Sequence, residues 1–298
     1  PPMRAPAAPR RPDTAGLVLL VTTAIGWGLN WPVMKALLAV LPPFSARAWA
    51  GIAGSLMLAA IARGMGERLA VPRALWGRLA LIAALNVTSW MGLATLSLLW
   101  LSAGEGTMVC YTVPVWAALL AWPVLGERPT ARRAAAMLLA LAGLVALVAG
   151  EGPGLGLAKL PGVALGLGAA VLFALGTVLT KRRPLALDPL ASAAWQVGLG
   201  CAPLLLPTLL LERPDWAALP ASGWASLAYM AAGPLGLCYI AWFAALRRLD
   251  AGVAAVGTLI APVVGVLAGA VALGEPLGLR EVAALALILG GVLLAVRG

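Results

Sequence analysis

Amides, hydroxyls and indoles are the informative side chains at depth in the apolar stretches of this sequence. Asn30, Asn86, Thr88, Ser89, Tyr111, Thr112, Gln196 and Tyr239 interrupt runs otherwise almost free of polarity. Trp27, Trp31, Trp90, Trp116, Trp195 and Trp242 fall in the same runs. An amide kept from water seeks a partner, often on another helix. A site for a zwitterion would draw on the same groups, amides and hydroxyls for the charged head and indoles for a variable side chain. For each residue, packing or lipid contact is the competing role. The resulting candidates for lining a cavity are Trp27, Asn30, Trp31, Asn86, Ser89, Trp90, Tyr111, Trp195, Gln196 and Tyr239.

The missing chemistry is as informative. The chain has no His, which removes a His-based metal site, a Ser-His-Asp triad and a histidine proton relay. Cys110, Cys201 and Cys238 are odd in number and lie in apolar runs, so they read as packing residues and not as a disulfide framework. Neither a metal nor a cofactor is expected, and catalysis is not expected either. Lys35, Arg47 and Glu105 sit toward the ends of apolar runs, and no carboxylate falls at mid-depth. A proton-coupled antiporter of cations would place an acid in its path. The absence of one favours a neutral or zwitterionic ligand.

Positioning such residues is a task for membrane helices. Hydrophobic residues make up 62% of the chain and charged residues 11%, against about 25% charged in a soluble domain. Too little polar surface remains to coat a water-soluble globule. The net charge of +10 is scattered between apolar runs, so membrane topology accounts for it better than nucleic acid does. Crossing ~30 Å takes roughly 20 residues. That measure predicts ten spans, near 15–38, 44–62, 75–99, 103–125, 132–149, 161–181, 189–211, 222–246, 251–273 and 280–297. The first of them runs on to Leu38 without an A-x-A-type site, which favours a spanning helix over a cleaved leader. Leu41-Pro42-Pro43, Glu151-Gly152-Pro153-Gly154 and Arg183-Pro184 punctuate the runs. If the N-terminus is cytoplasmic, 16 Lys and Arg fall on its side, from Arg4 to Arg297, against Lys35, Lys159, Arg213 and Arg280 on the other. The positive-inside bias therefore places both termini in the cytoplasm.

One stretch occurs twice. Leu101–Glu127 and Leu249–Glu275 share Ala-Gly after two residues, a central proline and a terminal Leu-Gly-Glu, all at an offset of 148. The offset also pairs Gly28 with Gly176, Trp76 with Trp224 and Gly143 with Gly291, and finds no convincing match in the second helix of each half. Five spans per half is an odd number, so the copies should cross in opposite directions. Pro114 and Pro262 deprive the carbonyls of Cys110 and Thr258 of their helical donors, and the resulting kinks should face the protein interior.

Gly26 to Pro32 reads Gly-Trp-Gly-Leu-Asn-Trp-Pro. Together with ten expected spans and the doubled Pro-centred helix, this resembles the drug/metabolite transporter superfamily, and within it the EamA-type exporters, from Thr14 to Arg297. The resemblance implies an all-α membrane protein of two inverted-topology five-helix repeats. Its expected divisions are a disordered cytoplasmic segment at 1–14, a first repeat at 15–150 and a second at 151–298. It also implies a multi-pass carrier of the bacterial inner membrane that works by alternating access, with a cavity formed chiefly by helices 1, 3, 4, 6, 8 and 9. The Trp-rich, charge-poor depth leans toward a YddG-type exporter of aromatic and other neutral amino acids. Export of another small metabolite or drug is the alternative, and a passive channel would differ in its non-saturating flux. Expected partners are a small-molecule substrate and lipid, without nucleic acid, in a monomer or weak dimer. Leu175 opposite Trp27 and Val178 opposite Asn30 predict that polar contacts come mainly from the first half.

Pro114→Ala and Pro262→Ala should change transport more than membrane insertion. Vesicle flux compared with the amount of inserted protein tests this, and unaltered flux in both variants would reduce the kinks to packing features.

Overall fold

The computed structural model describes residues 13–127, 130–149, 155–249 and 251–296. The expected segment 1–14 lies almost wholly outside these residues, as do Arg128, Glu151-Gly152-Pro153-Gly154 and Arg297. Among the described residues the secondary structure is helical, with no strand. In chain order the helices are α1 (Thr14–Leu37), α2 (Pro43–Gly64), α3 (Arg73–Ser97) and α4 (Ala103–Leu125). Next come α5 (Ala131–Ala149), α6 (Leu160–Arg182), α7 (Pro189–Leu210) and α8 (Ala221–Leu246). The last are α9, made of Ala251–Gly257 and Ile260–Leu273, and α10 (Leu279–Val296). Eight are long and apolar enough to cross a membrane, while α5 and α9 contribute the shorter apolar stretches Ala134–Leu147 and Ile260–Leu273. This is a multi-pass membrane protein.

Helix pairing follows the repeat. α1 packs on α9 and α8, and α6 packs on α4 and α3. α2 meets α8 and α3 meets α7, while α2–α7, α4–α9 and α5–α10 each pair across the halves. Exchanging every helix with the one five places on returns these same pairings, although the α1–α4 and α4–α10 contacts have no counterpart of like extent. α2 and α7 obey this exchange although their sequences show no convincing match. Gly51 and Ser55, spaced four apart, face α7, where Gly51 abuts Cys201 and the Ser55 hydroxyl donates to the Ala194 carbonyl at 2.9 Å.

The halves run in opposite directions. α1 starts beside the end of α8, where Asp13 caps α1 through Ala15 N–H and pairs with Arg248 at 3.0 Å. The Arg248 guanidinium holds the Asp13 carboxyl below its ordinary range. At the other end of α1, Lys35 donates to the carbonyls of Leu98 and Leu101 that follow α3. Lys159, just before α6, reaches Glu105 in the first turn of α4. α6 thus begins at the face where α1 ends. The Asp13 face also carries Glu67 bonded to Ala191 N–H, Asp188 bonded to Arg68 N–H, and the Lys181–Glu127 pair.

The doubled Leu-Gly-Glu terminates both α4 and α9. Gly126 (φ 78°) and Gly274 (φ 67°) adopt the left-handed conformation that a glycine accepts without strain. Glu127 N–H and Glu275 N–H then reach back to the carbonyls of Ala121 and Gly269. Midway, α4 breaks at Tyr111-Thr112 and α9 at Thr258-Leu259, just before Pro114 and Pro262. A second pair of breaks is marked by a proline only in α8, at Gly233-Pro234. α3 holds π-helical turns at Ala84–Thr88 and Trp90–Ala94, and α8 holds one at Gly233–Leu237. The α8 turn matches residues 85–89 at the same offset of 148. Such wide turns often lie at functional sites.

Gly26 and Gly28 in Gly-Trp-Gly let neighbouring helices close on α1. A Cβ at Gly26 would stand 2.4 Å from Cys238 Sγ of α8, and one at Gly28 would stand 2.6 Å from the Ala261 carbonyl of α9. Backbone cannot yield as a flexible side chain does, so Gly28→Val should destabilise the bundle by about 1–3 kcal/mol. Gly290→Ala meets open space and should stay within about 0.5 kcal/mol. Thermal melts in detergent compare the two, and equal midpoints would refute the close contact between α1 and α9.

Candidate functional site

α1 is the spine of an aromatic assembly. Its Trp27 and Trp31, one turn apart, each gather a cluster. The Trp27 ring lies 5.6 Å from Trp242 and 6.1 Å from Tyr239, both of α8, and its Nε1 donates to the Pro234 carbonyl at 3.2 Å. That carbonyl belongs to the π-helical turn of α8. Tyr229 on the same helix donates its hydroxyl to the Gly26 carbonyl at 2.9 Å. On the next turn Trp31, Trp90 of α3 and Tyr111 of α4 form a triangle with ring separations of 6.2, 6.4 and 6.3 Å. Phe173 of α6 closes on Trp90 at 5.0 Å. Edge-to-face arrangements within about 4.5–7 Å add to the burial of such rings.

Five of the ten expected residues therefore fall in two ring clusters on α1, Trp27 with Tyr239 and Trp31 with Trp90 and Tyr111. Asn30 lies between the two tryptophans in sequence, and its Oδ1 is sealed without a hydrogen-bond partner. Asn86 Oδ1 is sealed and unpartnered too, pressed against Gly176 of α6. These are the two polar side-chain atoms in that state among the described residues. A sealed acceptor without a donor is costly. Ser89 bonds the Leu85 carbonyl on its own helix, and Thr88 ties α3 to the Gly200 carbonyl of α7 at 2.7 Å. Trp195 and Gln196 stand apart from the rings. Trp195 donates to the Leu69 carbonyl at 2.8 Å and packs on Trp76, while Gln196 bonds Ser192 of its own helix. Their polarity placed them among the candidates, but period alone does not say which neighbour a helix face meets.

Some contributors lacked any sequence signal. Phe173 is one aromatic among many apolar residues, and the π turns that aim Trp90 and Pro234 carry no unique residue pattern. Arg47 was visible as a charge in an apolar run. It is 6% exposed and its Nε donates to Thr95 Oγ1 at 2.6 Å.

The face where α1 ends is held by charge. A cleft of about 460 Å³ is lined there by Lys35, Ser102, Glu105, Lys159, Glu275 and Glu281 among others. Ser102 and Glu105 form a reciprocal cap on α4, and Glu105 meets Lys159 at 2.6 Å. Glu275, the last residue of the second Leu-Gly-Glu, accepts from Ala103 N–H (2.6 Å) and Gly104 N–H (3.0 Å). The carboxylate ending one copy thus caps the Ala-Gly that opens the other, which explains why the two motifs recur together. At the Asp13 face, a smaller cleft of about 270 Å³ opens between α3 and α6, lined by Arg78, Leu81, Ile82, Leu179, Arg182 and Arg183.

The EamA-like transporter family matches the chain twice, over residues 14–149 and 160–297. The uncharacterized transporter YvbV of Bacillus subtilis is 31% identical, with 95% of this chain and 92% of that protein aligned. A probable amino-acid metabolite efflux pump of Salmonella typhimurium is 29% identical over 95% of this chain and 94% of its own length. A solved crystal structure shares the fold with a TM-score of 0.67, at 24% identity, over 95% of this chain and 97% of its own.

Removing the Glu275 cap should loosen the latched face. A carboxylate cap at a helix start contributes about 0.5–2 kcal/mol. Glu275→Ala should therefore raise labelling of a Leu101→Cys reporter by a membrane-impermeant thiol reagent, on the order of 2–30-fold. An unchanged rate would show that the cap does not hold this face shut.

Proposed function

The chain belongs to the EamA-like transporter family, and on that premise we propose that it is a secondary carrier exporting neutral amino acids, aromatic ones among them. In this reading ten helices span the bacterial inner membrane, both ends of the chain are cytoplasmic, and transport proceeds by alternating access, as in a YddG-type exporter. The observation that carries it is the two-fold exchange of helix contacts between oppositely directed halves. Two such halves can trade conformations, so that a site between them opens first to one face and then to the other. The Arg- and Lys-rich Asp13 face is then the cytoplasmic one, by the positive-inside bias.

The substrate class rests on the rings. Trp31, Trp90, Tyr111 and Phe173 offer an apolar, polarisable enclosure to a side chain, while Asn30 and Asn86 supply acceptors beside it. The name of the Salmonella typhimurium relative points the same way. Alternation would require the charged latch around Glu275, Glu105, Lys159 and Lys35 to part when the face opens. The offset of 148 assigns the corresponding place at the Asp13 face to Glu127 and the Ala251-Gly252 start of α9.

Purified protein in sealed vesicles should move labelled phenylalanine and leucine with saturable kinetics. Trp31→Ala and Trp90→Ala should each raise KM about 3–10-fold, the scale of one lost aromatic pair. No flux across a broad amino-acid panel, with flux of another metabolite or drug in the same vesicles, would transfer the assignment to that compound. Running the panel with and without a proton gradient identifies the coupling.

A further inference from the structure

Arg47 is a charge inside the bundle with nothing to neutralise it. It lies in the second turn of α2, 6% exposed, and makes one hydrogen bond, from Nε to Thr95 Oγ1. Arginine keeps its proton under all ordinary conditions and carries five donors in a planar fork. Among the described residues no carboxylate reaches it. Other cations near helix ends behave differently: Lys159, Lys181, Arg248 and Arg280 each meet a carboxylate. The terminal nitrogens of Arg47 bond no protein acceptor, yet they are not among the sealed polar atoms. They retain an opening.

Arg47 is flanked on α2 by residues that pack with the aromatic triangle. Ala46, on one side of Arg47, packs in the cluster that contains Trp31, Ala94 and Cys110, with Trp90 and Tyr111 against it. Ala48, on the other side, belongs to the cluster of Met91 and Cys201, which Trp90 also touches. Depth agrees with this placement. At 1.5 Å per residue, Arg47 is about 6 Å along α2 from the latched face, while Trp31 and Trp90 are about 9 and 10 Å from it. A bound molecule with its anionic head on Arg47 would lay its side chain among the rings.

We propose that Arg47 is the anchor for the carboxylate of the transported molecule, received by the free edge of its guanidinium. A fork of two parallel N–H donors matches the two oxygens of a carboxylate, and the arriving charge neutralises one that is otherwise buried and uncompensated. Thr95 orients the fork by holding Nε. The assignment rests on the reading of the chain as an amino-acid exporter and adds which end of the substrate is recognised, and by what.

The test compares phenylalanine with phenylalaninamide, which keeps the ring and amine but replaces the carboxylate. Wild-type protein in vesicles should prefer the acid about tenfold or more, the scale of one charged hydrogen-bonded contact. Arg47→Gln should bring the two within about twofold, mainly through KM, and Arg47→Lys should restore part of the preference. Thr95→Val, which frees Nε, should lower the preference without abolishing it. A purely structural role for Arg47 would slow acid and amide alike and leave their ratio intact. Wild-type protein moving both equally would overturn the anchor while leaving amino-acid export standing, as would Arg47→Gln keeping the preference. If no amino acid is carried, thermal shifts with phenylpropionate and phenylpropanamide separate the two ideas. Stabilisation of wild type but not Arg47→Gln by the carboxylate alone would uphold the anchor without amino-acid export, and no such difference would overturn both. Where Arg47→Gln fails to insert, the acid-to-amide ratio of Arg47→Lys decides: a drop below wild type upholds the anchor, and an unchanged ratio overturns it.

Discussion

Every backbone donor and acceptor that enters lipid must be satisfied inside the protein, because no water is there to do it. The described helices obey this requirement along most of their length, and the places where they depart from it define the interior. At the α4 break before Pro114, the Thr112 hydroxyl donates to the Val109 carbonyl at 2.7 Å and Thr112 N–H tightens onto the same oxygen. At the π turn of α8, the Pro234 carbonyl receives the Trp27 indole. A broken helix is tolerated only where neighbours supply such partners, so the breaks in α3, α4, α8 and α9 turn inward.

Duplication supplies this interior twice, but divergence has furnished it once. The offset that carries Trp31, Trp90 and Tyr111 into the second half lands on Leu179, Cys238 and Leu259. The aromatic triangle is therefore built from first-half residues, with Phe173 the addition from the second. Trp27, opposite Leu175, finds its partners Tyr239 and Trp242 on α8. The helix skeleton is two-fold, while the aromatic triangle itself comes from the first half alone.

The polar ends are where the helices are tied together. Lys35 spans from α1 to the carbonyls that close α3, Glu275 spans from the end of α9 to the start of α4, and Lys159 from α6 to Glu105. Each bond meets a helix terminus or a charge near one end of the helices. In the core, the contact of Gly28 with α9 leaves no room for a Cβ.

Sequence by itself determined the membrane class, the helical content, the repeat and the breaks in α4 and α9. These follow from composition, run length and proline, which act locally or by simple count. It also marked Trp27, Trp31, Trp90, Tyr111 and Tyr239, because an indole or phenol in a charge-poor run is conspicuous. The tertiary structure decided which of the conspicuous residues share a space. It set Trp195 beside Leu69 and Trp76, and kept Gln196 on its own helix. It brought in Phe173, gave Glu275 to the start of α4, and paired α2 with α7 where the sequences had drifted apart. It also revealed the π turns of α3 and α8. The reason is that a membrane helix is apolar on nearly every face, so no amphipathic stripe tells which side meets protein. Only the close packing of helix on helix resolves that choice.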